Sequence, residues 1–500
     1  MHLQLQFEKQ GIPCLQTLKR EIQSQEQTQE VRISDGMPDI GSIIGAWGQV
    51  ILRGKEWQSD GMSVNGGTMV WVQYMPEEGG PPQCVVSWLP FQMQWSFPET
   101  QYDGTIMAQC ILRSVDARCL SARKLMLRTN VSVLGVAMEK QEREIYAPKE
   151  YPSDVQLRTQ RYPILLPVEA GEKAFTVEES LVLPPSVPPM DKLLLYSFQP
   201  HITEERLMGD KLVFRGNGAL HILYRAEDGG QYAWDFEIPF TQYSELENEY
   251  DDSAQTLLWP CVTALEIDKE ETQLHIKVGL VCQYRISQRP VIEVVEDAYS
   301  VRRSVTPLQQ NLELPGILES TTQMIHVQQT SPVDGMRLTD VQFLPQPVKM
   351  ERAGEETTLI LPGQFQMFYY DMDGNLHTAT QKWEQTMAIP AGEDTSMTVE
   401  TWPVEMAQGN LMSGSAQLSS ELKMTMETLT SAGIPMIAGL ELGELQQPDP
   451  HRPSLILKRS GKKSLWELAK ENGSTVSAIQ LANNLQTEPE ETQMLLIPVI

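Results

Sequence analysis

The chain has 500 residues, a formal charge of −27, and 41% hydrophobic against 21% charged residues. That length predicts three or four domains, and the composition is that of a globular chain rather than a disordered or membrane one. The acidic excess argues against nucleic acid or an anionic membrane as the main partner, since both need a basic footprint, and favours solubility or a partner with a basic surface.

Residues 1–19 read as an N-terminal extension. "MHLQLQFEKQGIPCLQTLKREIQ" has no basic segment followed by an apolar stretch, so no secretory signal is expected. No run approaches the roughly 18 apolar residues that span a bilayer. The six cysteines are scattered and none forms a C-x-x-C pair, which suits neither a zinc framework nor a disulfide scaffold. A reduced, cytosolic protein is expected.

A long region then repeats itself. "GTMVWVQYMPEEGG" (67–80), "GALHILYRAEDGG" (218–230) and "GQFQMFYYDMDGN" (363–375) share one grammar: an alternating strand after a glycine, ending in tyrosine, then an acidic glycine turn. That is a β-hairpin with its turn chemistry in place. The anchors Tyr74, Tyr224 and Tyr370 lie about 150 residues apart, which indicates domain duplication rather than a solenoid. Further anchors are Pro90-Phe91, Pro239-Phe240 and Ile389-Pro390, and then Trp259-Pro260 and Trp402-Pro403, with Cys110 near the equivalent place in the first copy. The fold class predicted is mainly β: tandem antiparallel β-sandwich or barrel-like repeats, followed by a small α+β (βααβ) module. The copies are placed at 20–150, 168–305 and 317–442, the third being the most divergent. The joints "YAPKEYPSD" and "TPLQQNLELPG" read as linkers.

Signs of catalysis are absent from the pattern. No two of the seven histidines sit at a metal-ligand spacing, and no nucleophile elbow or phosphate-binding glycine loop occurs. His221 and His275 alternate with apolar residues and read as surface or satisfied interior histidines. "ELENEYDDS" (245–253) lacks the spacing of a calcium loop and reads as a solvated acidic loop. No catalytic residue, metal or cofactor is expected.

After a linker at 443–453, residues 454–500 predict a strand, two helices and a last strand. Ser464 and Glu467 form a capping box, Gly473 ends the first helix, and "MLLIP" closes the unit. "SLWELAKENGSTVSAIQLANNL…MLLIP" resembles a LysM domain through Leu465, Trp466, Ala469, Ile479, Asn483 or Asn484, Leu485, Leu496, Ile497 and Pro498. That resemblance implies N-acetylglucosamine-containing glycans as ligands and two binding loops, here Gly461 to Leu465 and Asn484 to Thr487. The candidate partner- or glycan-binding residues are Lys462, Lys463, Ser464, Leu465, Trp466, Asn484, Leu485, Gln486 and Thr487. Lys462-Lys463 replaces the family's Gly-Asp, so a glycine suited to close backbone approach is lost and positive charge is gained. Trp466 either anchors a partner or plugs the small core.

"AGEKAFTVEESLVLPPSVPPMDKLL" running into "GNGALHILYRAEDGG…FEIPF" resembles the SPOCS domain of endospore-forming Firmicutes. Several copies followed by a C-terminal LysM resemble clostridial spore morphogenetic proteins. The resemblance implies a non-enzymatic scaffold in spore coat and cortex assembly, lying in the mother-cell cytosol at the forespore surface. Its LysM would dock on the stage IV sporulation ATPase of the coat basement layer. The alternative is a peptidoglycan-binding protein of spore or cell wall; a regulator of hydrolases or a carbohydrate-active enzyme is a weaker third reading.

Overall fold

In the computed structural model, residues 3–100, 104–270, 273–314, 316–353, 356–390, 395–412, 414–430, 433–447 and 451–500 are described. Strands dominate, with two short helices near the C-terminus, as the hydrophobic patterning predicts. Each copy is two small antiparallel sheets face to face. In the first, Glu8–Arg32, Lys124–Ala147 and Thr105–Ser121 form one sheet, and Ile40–Gln58, Gly61–Pro76 and Gln83–Ser96 the other. The second pairs Leu166–Val182, Gln273–Gln288 and Gln255–Glu270 in the same order. Its facing sheet is built from Met190–Ala226 and Gln231–Tyr250. Met190–Ala226 turns back at Gly209 (φ +63°), and Thr203 Oγ1 donates to the Arg215 carbonyl at 3.3 Å across the fold. The third copy repeats the plan with Gly316–Pro332, Ser415–Thr430 and Thr395–Pro403 opposite Arg337–Pro345, Glu356–Tyr370 and Leu376–Pro390.

The turn chemistry is common to all three. Gly79, Gly229 and Gly374 have φ of +81°, +84° and +80°. Their amides donate to the carbonyls of Pro76, Ala226 and Asp371 at 3.1, 3.0 and 3.2 Å. Counted back from these turns, Tyr74 and Tyr224 occupy one position. Each donates its hydroxyl to a proline carbonyl 36 residues upstream, Pro38 at 2.8 Å and Pro188 at 2.9 Å. The third copy departs from the expected anchor: Tyr369, not Tyr370, holds this position. Strand side chains alternate faces, so one residue of slip puts Tyr370 on the opposite face. There it lies under Arg337, 5.0 Å from the ring centroid. Ile389 is likewise no counterpart of Phe91 and Phe240, which pair with Gly66 and Gly216; it pairs with Thr357, further from the turn. Tyr224→Phe is expected to cost about 1 kcal/mol of stability, and Tyr74→Phe the same, because each removes a part-buried hydrogen bond to an upstream proline carbonyl. Urea denaturation of both variants measures it, and a loss at only one site would break the equivalence.

The copies are not beads on linkers. From Leu3 onward the expected N-terminal extension is built into the sheets: Glu8–Thr17 pair with Met138–Ala147, and Leu3–Gln6 pair with Gly439–Leu442 of the third copy. "TPLQQNLELPG" is largely the strand Val305–Leu312, paired on the other side of Ile434–Leu442. "ELENEYDDS" continues the strand Gln231–Tyr250, where Tyr250 donates to Glu169 at 2.8 Å. In each case a partner distant in sequence orders a stretch that its polar composition alone leaves as loop. A shared core gathers Phe7, Ile145, Val155, Ile292, Leu312 and Ile434 from all three copies. The first and last strands of the repeat region are therefore neighbours, and the three copies close on one another.

Closure explains why the central strand Gly61–Pro76 is buried on both faces. Val70, Val72 and Tyr74 fill the sandwich core of the first copy. Trp71 and Gln73 point the other way, as do His221 and Leu223 and then Gln366 and Phe368 at the same distances from their turns. Trp71, Leu223 and Phe368 meet in one apolar cluster drawn from every copy.

Candidate functional site

Two places bring functional groups together: the C-terminal module and the junction between copies. The module is the predicted strand, two helices and strand. Leu455–Arg459 pairs with Met494–Pro498, flanking α1 (Leu465–Asn472) and α2 (Val476–Asn483). Ser464 caps α1 in a reciprocal box with Glu467, and Gly473 ends it in the left-handed conformation. Asn483 holds the last strand by accepting from the Leu496 amide at 2.8 Å and donating to its carbonyl at 2.7 Å. Asn484 is the left-handed cap of α2 (φ 53°).

Seven apolar residues make the module's core, and one of them, Tyr299, belongs to the second copy. The module is docked on the strand Ile292–Ser300. Trp466 packs edge-on against Tyr299, with ring centroids 4.8 Å apart, and its indole donates to Asp297 at 2.8 Å. Lys470 reaches both Asp297 oxygens at 2.8 Å, and Tyr299 donates to the Ser474 carbonyl at 2.9 Å. Arg158 lies 5.8 Å from the Trp466 ring centroid. Burial would push the Asp297 carboxyl up, but Lys470 and the Trp466 indole together hold it below its usual range.

The sequence-derived candidates fall into two groups. Leu465 is buried in the module core, its amide bound by Glu488 at 2.8 Å, so its side chain is no contact surface. Trp466 is half-buried and anchors the module to its own body, and Leu485 packs on the same core. Ser464 is taken up by the cap. Lys462, Lys463, Asn484, Gln486 and Thr487 are exposed. Lys463 pairs with Glu471, and Lys458 joins the same carboxylate at 3.3 Å. Among the described residues Lys462 has no ion pair. The docking partners Asp297 and Tyr299 carry no local signal, because only the distant helix α1 gives them a role.

At the junction, one polar residue from each copy converges. Asp340 accepts from the Trp47 indole at 2.6 Å and from the Val341 amide at 2.7 Å, and faces His221 Nε2 at 3.1 Å. His221 Nδ1 faces Asp235 at 2.6 Å. Burial pushes the imidazole down, but Asp340, helped by Asp235, outweighs it and raises its pKa to about 10. His221 is thus an interior histidine, hydrogen-bonded through Nδ1 to Asp235 and ion-paired through Nε2 with Asp340. On the other side, Arg20 of the first copy donates to Glu400 at 2.7 Å and Glu427 at 3.1 Å of the third, and Arg285 of the second also binds Glu427. Gln283 clasps the Ala108 backbone, donating to its carbonyl at 2.8 Å and accepting from its amide at 2.7 Å.

Among the described residues no group of three or more His, Cys, Asp or Glu is placed to hold a metal ion, and no helix is long and apolar enough to cross a membrane. Set against the known protein-family models, the curated proteins and the solved structures, the chain matches none of them.

Proposed function

We propose that this chain is a non-enzymatic scaffold whose C-terminal module presents a basic loop to an acidic protein partner. The observation that carries the reading is the docking itself. Trp466, Lys470 and Tyr299 hold the module on the β body while Lys462, Lys463, Asn484, Gln486 and Thr487 face solvent. A rigid mount with an outward loop is how an adaptor fixes the direction of a contact. The charge of the loop, opposite in sign to the −27 of the whole chain, favours an acidic partner. The mutual pairing of charged groups between copies supports a structural use for the polar interior.

The resemblance of the module to LysM and of the repeats to SPOCS domains makes the partner the stage IV sporulation ATPase of the coat basement layer. The setting is then the mother-cell cytosol during spore envelope assembly. Co-purification of the ATPase with the full chain tests this: Lys462→Glu with Lys463→Glu is expected to weaken capture about tenfold. Retention of the unsubstituted chain on purified peptidoglycan, with no capture of the ATPase, would overturn the proposal in favour of glycan binding.

A further inference from the structure

The sheet of the C-terminal module is covered on one face only. Its two strands pair Leu455 with Pro498, Leu457 with Leu496 and Arg459 with Met494. Opposed residues of an antiparallel pair share a face, and the residues between them lie on the other. Ile456, Leu495 and Ile497 point inward and pack in the module's core. The three pairs point outward. There Leu455, Leu457, Met494 and Leu496 are 52%, 62%, 51% and 39% exposed, so neither the helices nor the β body covers them. Single exposed leucines are ordinary on a protein surface, but adjoining ones on one sheet face mark a contact site. A sheet with an apolar face normally buries it against a second layer, and here that layer is missing.

Size and charge decide what fits. Strands of 5 residues make the face about 17 Å long, and two of them make it about 10 Å wide. A helix is about 10–12 Å across, and about eleven residues of it span that length. Three residues from each strand fall well short of the roughly 20–30 a side in a standard interface, so this face does not by itself hold two copies together. Arg459 is the one charged side chain among the three outward pairs. It is exposed and has no ion pair among the described residues, not even with Glu490 or Glu491 of the neighbouring turn. We propose that this face receives one amphipathic helix of a partner protein. Apolar residues at i, i+3, i+4 and i+7 cover Leu455, Leu457, Met494 and Leu496, and a carboxylate near one end meets Arg459. An anionic lipid surface also offers apolar and negative groups, but a chain of net charge −27 is repelled by it. The inference rests on the reading of the module as a protein-docking unit and adds a second surface beside the basic loop.

Selection of phage-displayed helical peptides of about eleven residues against the full chain tests it. Enriched peptides should carry the apolar spacing and an acidic residue toward one end. By fluorescence polarisation, Leu457→Gln with Leu496→Gln should weaken their binding about tenfold. Arg459→Glu should weaken it by a similar factor, and exchanging the peptide's acidic residue for lysine should restore it. Circular dichroism checks the fold, and Leu457→Ser with Leu496→Ser replaces the first pair if that pair does not fold. The inference is overturned if no peptide is enriched, if the leucine pair leaves the affinity unchanged, or if the charge exchange fails to restore it. It is also overturned if the leucine pair instead abolishes self-association in sedimentation, or binding to phosphatidylserine vesicles. Peptide binding without capture of the ATPase would sink only the partner named above. Capture of the ATPase that the leucine pair does not alter, with no peptide enriched, would sink only this inference.

Discussion

Glu427→Leu is expected to cost about 3–5 kcal/mol of unfolding free energy, the range for breaking a buried ion pair from one side. Glu427 is 1% exposed and receives Arg285 from the second copy and Arg20 from the first. Without it, Arg285 keeps its burial and loses its counter-charge, while Arg20 retains only Glu400. The double variant Arg285→Met with Glu427→Leu should recover most of the loss, because an apolar pair of similar volume has no charge left to desolvate. The two carboxylates also end on opposite sides of their ordinary value. Burial pushes both upward, but at Glu427 the Arg285 and Arg20 guanidiniums prevail and the carboxyl lies below its ordinary 4.5. At Glu400 burial outweighs Arg20, and the carboxyl lies above it. Glu427 thus contributes stability that is present above its unfolded value and is lost as pH falls through the folded one, whereas Glu400 acts in the opposite direction. Urea unfolding of the three proteins measures the effect. A loss below about 1 kcal/mol in Glu427→Leu, or no recovery in the double variant, would show that the cluster is not a lock between copies.

His221→Leu is expected to cost about 3 kcal/mol near neutral pH, because it strands the buried Asp340 carboxylate. The accompanying pH profile is the sharper reading. The folded pKa of about 10 exceeds the ordinary 6.5, so this contribution is fully present below 6.5 and is lost as pH rises through 10. Unsubstituted protein should therefore lose about 2–3 kcal/mol between pH 7 and pH 10.5 that the variant does not. Nε2 is held by the third copy and Nδ1 by the second, so the loss reports on contact between copies. Equal slopes in the two proteins would refute the assignment.

The elements legible from sequence are those whose cause is local. The glycine turns at 79, 229 and 374, the capping box of Ser464 and Glu467, and the αL glycine at 473 are each dictated by a few adjacent residues. Duplication was legible because the hairpin recurs. What depended on distant partners was not. "TPLQQNLELPG" has the composition of a linker and becomes a strand only beside Ile434–Leu442. Tyr369 and Tyr370 look interchangeable until the ladder assigns each a face. His221, Trp71 and Gln366 share a position counted from their turns yet differ in type, so the repeat pattern alone does not mark that position. The exposed part of the candidate loop was readable from charge, but the use of Trp466 as an internal anchor needed Tyr299 and Asp297 beside it.

The pairing of Leu3–Gln6 with the last strand of the third copy also bears on how the protein comes apart. An open array of repeats frays from its end units, which have a neighbour on one side only. Here no copy is terminal. The strand works as a clasp, and opening any joint exposes apolar surface on two copies at once, so local openings near the chain ends are suppressed and loss of structure is pushed toward a single concerted event.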